Sequence, residues 1–187
     1  SEKIASSMPI EIFDNLLSTN TLLLQRATQG ASNGSVIAAE WQDSGRGRLG
    51  RKWYSGLGNA LTFSLLWRFE CGLSGLSGLS LAIGVALIRA LHKCGVYGAQ
   101  LKWPNDILST STDGLLKKAK LGGVLLEAQG DMLGPSAVVI GIGLNISAPK
   151  KLLTQIEQPV TGLVDLVEDV PERNFLLAAL LVELEMV

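Results

Sequence analysis

The sequence predicts an α+β domain in which a mixed, largely antiparallel sheet is flanked by helices. Its 187 residues, of which 47% are hydrophobic and 18% charged, suffice for one domain with a buried core. Strand-like segments follow one another with few helices between them, which argues against strict β-α-β alternation. Apolar residues alternate with other residues from 61 to 69, the two-residue period of a strand. We therefore expect a single domain over residues 1–187.

The first half of the chain divides at residues that start and stop helices. Ser18, Thr19 and Asn20 are cap-type residues at the start of a helical pattern, which stops at Gly30. A second helical pattern stops at Gly95. The predicted elements are, in order, a strand at 10–13, the first helix, strands at 35–41 and 59–69, and a helix at about 78–93.

The second half reads as strands followed by one helix. A strand in AQLKWP is stopped by Pro104, and the polar, turn-rich segment at 109–119 reads as a loop. Two further strands, at 120–128 and 136–147, are expected to form a hairpin across 130–135. After a loop, the chain is expected to end in a helix capped by Asn174.

Composition excludes several classes of function. A net charge of −1 gives no general attraction to nucleic acid or to anionic membranes. Cys71 and Cys94 have neither zinc-site nor disulfide-framework spacing, and the single His92 cannot build a multi-histidine metal centre. The uncharged stretch 71–88 reads as a lead-in of small residues followed by a buried helix, not a membrane span. Without a signal-peptide pattern, a cytoplasmic protein is expected.

The stretch GRGRLGR at 45–51, called the arginine loop below, contains two competing patterns. Its glycines spell G-x-G-x-x-G, but a dinucleotide site needs a helix directly after them, and RKWYSGLGN is turn-rich instead. Its arginines supply bidentate donors suited to phosphate, and its glycines allow close approach of the backbone. A loop that closes over a phosphorylated ligand is therefore favoured.

Three further motifs place polar groups at strand ends. KWPND contains Lys102 at the end of a strand, followed by Asn105 and Asp106 just past a proline turn. KLGGVLLE begins a strand with Lys120, and GIGLN ends another strand with Asn145. Each motif alone is weak, but together they place cations, amides and glycines at several strand ends of one short domain.

The ordered motifs STN, WQDSGRGRLGRKW, KWPNDI, KLGGVLLE and GIGLN, spanning residues 18–146, resemble the catalytic domain of biotin–protein ligases. That family is related in fold to lipoate–protein ligases and to class II aminoacyl-tRNA synthetases. The resemblance implies that biotin and Mg-ATP form biotinyl-5′-AMP, and that biotin then passes to a lysine of a biotin carboxyl carrier protein domain, as in acetyl-CoA carboxylase. Fixed cations can stabilise such a transition state without a general-base histidine.

The resemblance also implies roles for individual residues. The catalytic residues are expected to be Lys120 and Arg48. Contacts to biotin are implied for Ser18, Thr19, Asn20, Gln42, Arg46, Gly47, Arg48, Trp53 and Lys120. Contacts to the nucleotide are implied for Arg46, Arg48, Arg51, Lys102, Asn105, Asp106 and Asn145. Mg²⁺ is expected to be held mainly by phosphate oxygens, with no protein ligand assigned.

The chain also departs from the family pattern. An N-terminal winged-helix domain has no room before the STN motif, so binding to DNA and repressor activity are not expected. The small C-terminal β-barrel domain of the family is expected to be absent or truncated. A homodimer through edge strands is compatible with the predicted sheet. Two alternatives stay open: a lipoate or octanoate ligase on the same fold, and a truncated domain that binds biotin without catalysis.

Overall fold

The computed structural model describes residues 8–110, 118–148, 156 and 158–187. Within them, strands and helices follow in the order β1 Ile10–Leu16, α1 Thr19–Thr28, β2 Val36–Gln42, β3 Ala60–Phe69, α2 Leu79–Lys93, β4 Ala99–Lys102, β5 Asp106–Ser109, β6 Lys120–Gly130, β7 Ser136–Asn145 and α3 Arg173–Glu185. The strands form one seven-stranded sheet in the order β1-β2-β3-β7-β6-β5-β4.

Strand directions confirm the predicted mixed, largely antiparallel sheet. β1 and β2 are parallel because α1 carries the chain back between them. Every other neighbouring pair is antiparallel, including the predicted β6–β7 hairpin. The fold class expected from the sequence is therefore confirmed.

Helices cover the two faces of the sheet unequally. On one face, α1 packs Leu23 against Ile37, Leu66 and Val139. On the other face, α2 and α3 build the larger core, which includes Phe63 of the central strand β3. Because the short α1 covers only the β2, β3 and β7 part of its face, the rest of that face is left open. This open part contains the candidate site.

Strand β3 is more buried than its alternating pattern suggested. From Ala60 to Leu66 every residue is buried, because β2 and β7 flank the strand and helices lie against both faces. On the side of α1 it presents Thr62 and Ser64, which are buried polar residues. The predicted apolar alternation is confirmed as strand periodicity, and the second face of the strand contains Thr62 and Ser64 together with the apolar Leu66.

Two sequence expectations were wrong. Residues 106–109, for which no strand was expected, form β5, because their backbone groups pair with β4 and β6 on both sides. The C-terminal helix is capped by Glu172 and not by Asn174: the Glu172 carbonyl accepts from the Leu176 amide at 2.9 Å, so the helix begins earlier. Most of the predicted 109–119 loop lies outside the described residues.

Among the described residues, the segment Leu73–Lys93 is long and apolar enough, by length and composition alone, to cross a membrane. Its first part is the 3-10 turn Leu73–Leu76 and its second part is α2. One side of α2 is buried in the core, through residues such as Ile83, Leu87 and Leu91. Only 28% of the apolar 18-residue window is buried, so α2 packs one side into the core and the segment is more exposed than the buried helix that the sequence predicted.

Candidate functional site

A cleft of about 870 Å³ opens on the face of the sheet beside α1. Its walls are the start of α1, the arginine loop and the exposed faces of β7, β6, β5 and β4. Every residue singled out from the sequence lines it: Ser18, Thr19, Asn20, Gln42, Arg46, Gly47, Arg48, Arg51, Trp53, Lys102, Asn105, Asp106, Lys120 and Asn145. The fold thus brings together residues that are up to 127 positions apart in the chain, from Ser18 to Asn145. Their individual roles stay predictions.

One end of the cleft is neutral and polar. Ser18 caps α1, as predicted, by accepting from the Thr21 amide at 3.4 Å. Gln42 Oε1 accepts from the Thr19 amide at 2.8 Å and lies 3.2 Å from the Thr19 hydroxyl. These contacts join the first turn of α1 to the end of β2, so the hydroxyl and amide groups converge without any formal charge.

Two glycines of β7 make space at this end. A Cβ at Gly141 would lie 2.2 Å from Asn20 Oδ1, and a Cβ at Gly143 would lie 2.4 Å from Cζ2 of Trp53. Both distances are far below van der Waals contact, so any larger residue would displace these side chains. The two glycines of the GIGLN motif therefore let Asn20 and Trp53 lie directly against the sheet.

The arginine loop is a tight hairpin. The Gly47 amide donates to the Arg51 carbonyl at 2.7 Å, and Trp53 N donates to the carbonyl of Gly45 at 2.9 Å. At its tip Leu49 has φ +57° and is 90% exposed. The helix that a dinucleotide site would need does not follow, as the sequence predicted: the chain passes through the 3-10 turn Arg48–Gly50 and continues toward β3.

Side chains from β6 and the β4–β5 turn contact two of the three arginines of this loop. Arg46 donates to Glu127 Oε2 at 3.0 Å, and Arg48 donates to Asn105 Oδ1 at 3.2 Å. These contacts offset the mutual repulsion of the loop's cations. The closure of the loop over a ligand stays a prediction.

A bulge in β6 directs Lys120 into the cleft. Lys120 and Gly122 lie opposite consecutive residues of β5, and Leu121 is the extra residue between them. Side chains alternate between the two faces along a strand, and the extra residue reverses that alternation before Gly122. Leu121 therefore enters the core and Lys120 faces the cleft. There its Nζ lies 2.7 Å from Asp106 Oδ1, and both side chains are only 18% exposed. The ammonium is thus held in the cleft beside the Asp106 carboxylate.

Asn105 and Asn145 brace the backbone around Lys120. Asn105 donates from Nδ2 to the Val124 carbonyl at 3.0 Å. Asn145, which is 7% exposed, donates to the carbonyls of Lys120 and Thr161 at 3.2 and 3.1 Å. The Asn145 amide nitrogen is therefore engaged with the backbone at the end of β7, and its predicted contact with the nucleotide stays a prediction.

Sequence reasoning missed several residues that shape the site. Ser64 is fully buried, and its hydroxyl lies 2.7 Å from Thr19 Oγ1 and 2.6 Å from Asn20 Oδ1. Glu127 contacts both Asn20 and Arg46. Glu127 lies inside the KLGGVLLE motif, which could have drawn attention to it, whereas no local pattern marks Ser64.

A metal ion finds few protein ligands here. The described residues contain no group of three or more His, Cys, Asp or Glu side chains that could hold one. Asp106 is the one carboxylate among the described residues that line the cleft. A divalent cation in this cleft would need most of its oxygen ligands from a bound substrate.

Comparison with known proteins supports the resemblance seen in the motifs. The model of the Biotin/lipoate A/B protein ligase family matches residues 13–145. The chain is 40% identical over 130 residues to the bifunctional ligase/repressor BirA of Escherichia coli (strain K12), covering 70% of this chain and 38% of that protein. It is 36% identical over 174 residues to the biotin–[acetyl-CoA-carboxylase] ligase of Mycobacterium tuberculosis, covering 90% and 59%. The chain thus spans about two-fifths to three-fifths of the length of these relatives.

Solved structures agree with the fold. The biotin protein ligase from Aquifex aeolicus in complex with biotin and ATP aligns with a TM-score of 0.73 at 28% identity, over 95% of this chain and 69% of that one. The biotin protein ligase from Leishmania major in complex with biotin aligns with a TM-score of 0.72 at 28% identity, over 94% and 72%. The fold that contains the cleft is therefore similar to that of two biotin protein ligases, one solved with biotin and ATP and one with biotin.

Proposed function

We propose that this chain, which belongs to the biotin/lipoate A/B protein ligase family, activates biotin with ATP as biotinyl-5′-AMP and transfers it to a lysine of a biotin carboxyl carrier domain. One observation carries the proposal: a single cleft has a neutral hydroxyl and amide end beside α1 and a cationic region around Lys120 and the arginine loop. This division of charge matches a ligand with an uncharged head and a carboxylate that must meet a phosphate. Relatives named as biotin ligases support the choice of biotin.

The neutral end suits the ureido ring of biotin. Its carbonyl and N–H groups ask for uncharged donors and acceptors, such as those of Ser18, Thr19 and Gln42. Burial of the first turn of α1 and its bond to Gln42 hold these groups in place before a ligand arrives. Leu125 and Ile142 also line the cleft and offer apolar contact to the remainder of the molecule.

The cationic region suits adenylation. A carboxylate oxygen of biotin attacks the α-phosphorus of ATP. The bond from that phosphorus to the oxygen between the α- and β-phosphates breaks, and pyrophosphate leaves with the electron pair. Negative charge gathers on the phosphoryl oxygens during this step, and Lys120 with Arg48 would stabilise it. In the second step the neutral amine of the acceptor lysine attacks the carbonyl carbon. The bond to the phosphate oxygen then breaks, AMP leaves, and the amine releases a proton.

We infer the direction in which pyrophosphate leaves from the order of the strands. Attacking and leaving oxygens lie roughly in line, so pyrophosphate departs on the side opposite biotin. The biotin end lies beside β2 and β3, Lys120 lies on β6, and the opposite side is β5 and β4. A second recess of about 420 Å³ on that side shares Lys102 and Lys120 with the main cleft and adds Lys118. Its lysines favour an anion there, which supports this direction of departure.

Mg²⁺ is compatible with this donor set. Asp106 would supply the protein's carboxylate, and phosphate oxygens and water would supply the remaining ligands. When bound, the ion would neutralise phosphate charge. The protein's own part is to hold Asp106 beside Lys120 and to aim the lysine at the reacting oxygens.

The adenylation step is tested by ATP–pyrophosphate exchange on the 187-residue chain with biotin, lipoate, octanoate or no acid. Exchange that depends on biotin is expected. Exchange with lipoate or octanoate alone would support the alternative acyl ligase, and biotin binding by calorimetry without exchange would support a binding-only domain. Lys120→Met is the control, since a contaminating ligase would be unaffected by it. Lys118→Ala is expected to raise the KM for pyrophosphate while leaving that for biotin unchanged.

The transfer step needs its own test. A biotin carboxyl carrier domain is incubated with the chain, biotin and Mg-ATP, and biotinylation is followed by intact mass. The matched control is the carrier with its acceptor lysine replaced by arginine, which should gain no mass. A homodimer, absence of DNA binding and a cytoplasmic location stay predictions; sedimentation and a DNA shift assay test the first two.

A further inference from the structure

We infer that Glu127 is a positioning residue that ties the base of the arginine loop to the first turn of α1. This inference rests on the proposed function only for its consequence for catalysis. Glu127 lies on β6 opposite Val139, on the face of the sheet that α1 shares with the cleft. Its Oε2 accepts from Asn20 Nδ2 at 2.8 Å and from the Arg46 guanidinium at 3.0 Å. One carboxylate oxygen thus joins residues that are 107 and 81 positions away in the chain.

The Asn20 side of this connection is rigid. Asn20 is 3% exposed, and its amide oxygen lies 2.6 Å from the hydroxyl of the fully buried Ser64. Its amide nitrogen donates to Glu127 and also lies 3.4 Å from the Leu125 carbonyl. Because both ends of the amide are engaged and Gly141 leaves no spare room, Asn20 acts as a fixed support for Glu127.

The Arg46 side of the connection is more open. The Arg46 side chain is 43% exposed and that of Glu127 is 27% exposed. Glu127 neutralises and orients Arg46 at the base of the arginine loop, opposite Lys52 with which Arg46 forms a β-bridge. Arg48 instead contacts the neutral Asn105, so its full charge stays available to a phosphate. The carboxylate therefore distinguishes Arg46, which anchors the loop, from Arg48, which rests on a neutral amide.

This arrangement makes a prediction independent of catalysis. Glu127→Gln keeps the size of the side chain but removes its charge, so Arg46 loses its charge-assisted partner. Without that anchor the arginine loop should open more often. Trypsin, which cleaves after arginine, should then cut after Arg48 about 3- to 10-fold faster in the ligand-free variant than in the wild type, a range scaled to a partly exposed ion pair.

The matched control is Glu40→Gln. It breaks the Arg173–Glu40 ion pair, whose side chains are 35% and 31% exposed and which joins β2 to α3 away from the cleft. Loop cleavage should stay at the wild-type rate in this variant. In a double-mutant cycle with Arg46→Gln, the two changes should be strongly non-additive, because either one alone removes the same contact. Glu127→Asp, which keeps the charge but shortens the side chain, should give an intermediate rate.

Two readouts separate this inference from the proposed function. Tryptic cleavage of the ligand-free chain tests Glu127 even if biotin is not the substrate. In the exchange assay, Glu127→Gln should raise the KM for biotin and for ATP several-fold with a smaller change in kcat, and its thermal midpoint should match that of Glu40→Gln. Equal loop cleavage in the wild type and in Glu127→Gln would overturn the inference, as would additive effects in the cycle.

Discussion

Replacing Lys120 by methionine tests the central feature of the cleft. The substitution keeps the length and most of the apolar stem of the side chain but removes the ammonium. Lys120 Nζ lies 2.7 Å from Asp106 Oδ1 in a pair of which each side chain is 18% exposed. Two effects therefore have to be separated: a loss of stability from leaving Asp106 without its partner, and a loss of catalysis from removing a cation.

The two effects differ in magnitude. Breaking a buried pair costs about 3–5 kcal/mol, and partial access to water at the cleft lowers this to about 1–3 kcal/mol. For a chain of this size that corresponds to a fall of about 2–12 °C in Tm. A domain with about 5–15 kcal/mol of stability stays folded at 25 °C. Loss of one preorganised donor to transition-state charge lowers the rate about 10²–10³-fold, equivalent to about 3–4 kcal/mol of activation free energy.

A matched variant decides between these effects. Lys93 Nζ lies 2.5 Å from Oε1 of Glu183, a carboxylate that is 7% exposed and packed between α2 and α3 away from the cleft. Lys93→Met leaves that carboxylate without its partner and should lower stability by about 1–3 kcal/mol, the same range as Lys120→Met, because Glu183 is at least as buried as Asp106. Differential scanning calorimetry and biotin-dependent pyrophosphate exchange are measured on both variants. Equal loss of exchange in both would refute the catalytic role of Lys120, because stability alone would then explain it.

Three further changes have equally definite outcomes. Arg48→Ala should leave Tm unchanged and speed dissociation of biotinyl-5′-AMP about 10-fold or more, measured by stopped-flow displacement. Gly143→Ala places a Cβ 2.4 Å from the indole of Trp53 and should lower stability by about 1–3 kcal/mol and weaken biotin binding, measured by denaturant unfolding and calorimetry. Iodoacetamide should label the exposed Cys71 before Cys94, because burial raises the pKa of the Cys94 thiol and lowers its thiolate fraction, as followed by peptide mass spectrometry.

Each of these predictions can fail. Unchanged adenylate dissociation in Arg48→Ala would remove the arginine loop from ligand retention. Wild-type biotin affinity in Gly143→Ala would mean that Trp53 can move without affecting the cleft. Faster labelling of Cys94 than of Cys71 would indicate that the end of α2 opens in solution. A serine variant of either cysteine identifies which peptide carries the label.

Much of the fold could be predicted because its signals are local. The cap at Ser18, the stop at Gly30 and the alternation in β3 depend on residues within a few positions of one another. The strand β5 could not be found in this way, because four residues form a strand only through partners on both sides. The start of α3 was misplaced because Glu172, although not a typical cap, supplies the carbonyl that begins the helix.

The candidate site shows the same division. All of the predicted site residues were taken from the sequence motifs, and the fold places them in one cleft. What they do there depends on contacts that no spacing encodes: Arg46 is tied back to Glu127, whereas Arg48 rests on Asn105. Arg46 and Arg48, which look alike in GRGRLGR, therefore differ because of residues that lie on β6 and in the β4–β5 turn.

By itself, the sequence determined the fold class, most of the elements and the set of residues from which the site is built, since periodicity, caps and motif order are properties of neighbouring residues. Only the tertiary structure decided where those residues point. The bulge at Leu121 directs Lys120 into the cleft by adding one residue to one strand of a pair, and that count exists only once β6 lies against β5. The support that Ser64, Asn20 and Glu127 give to the arginine loop likewise exists only after β3, α1, β6 and the loop meet on one face of the sheet.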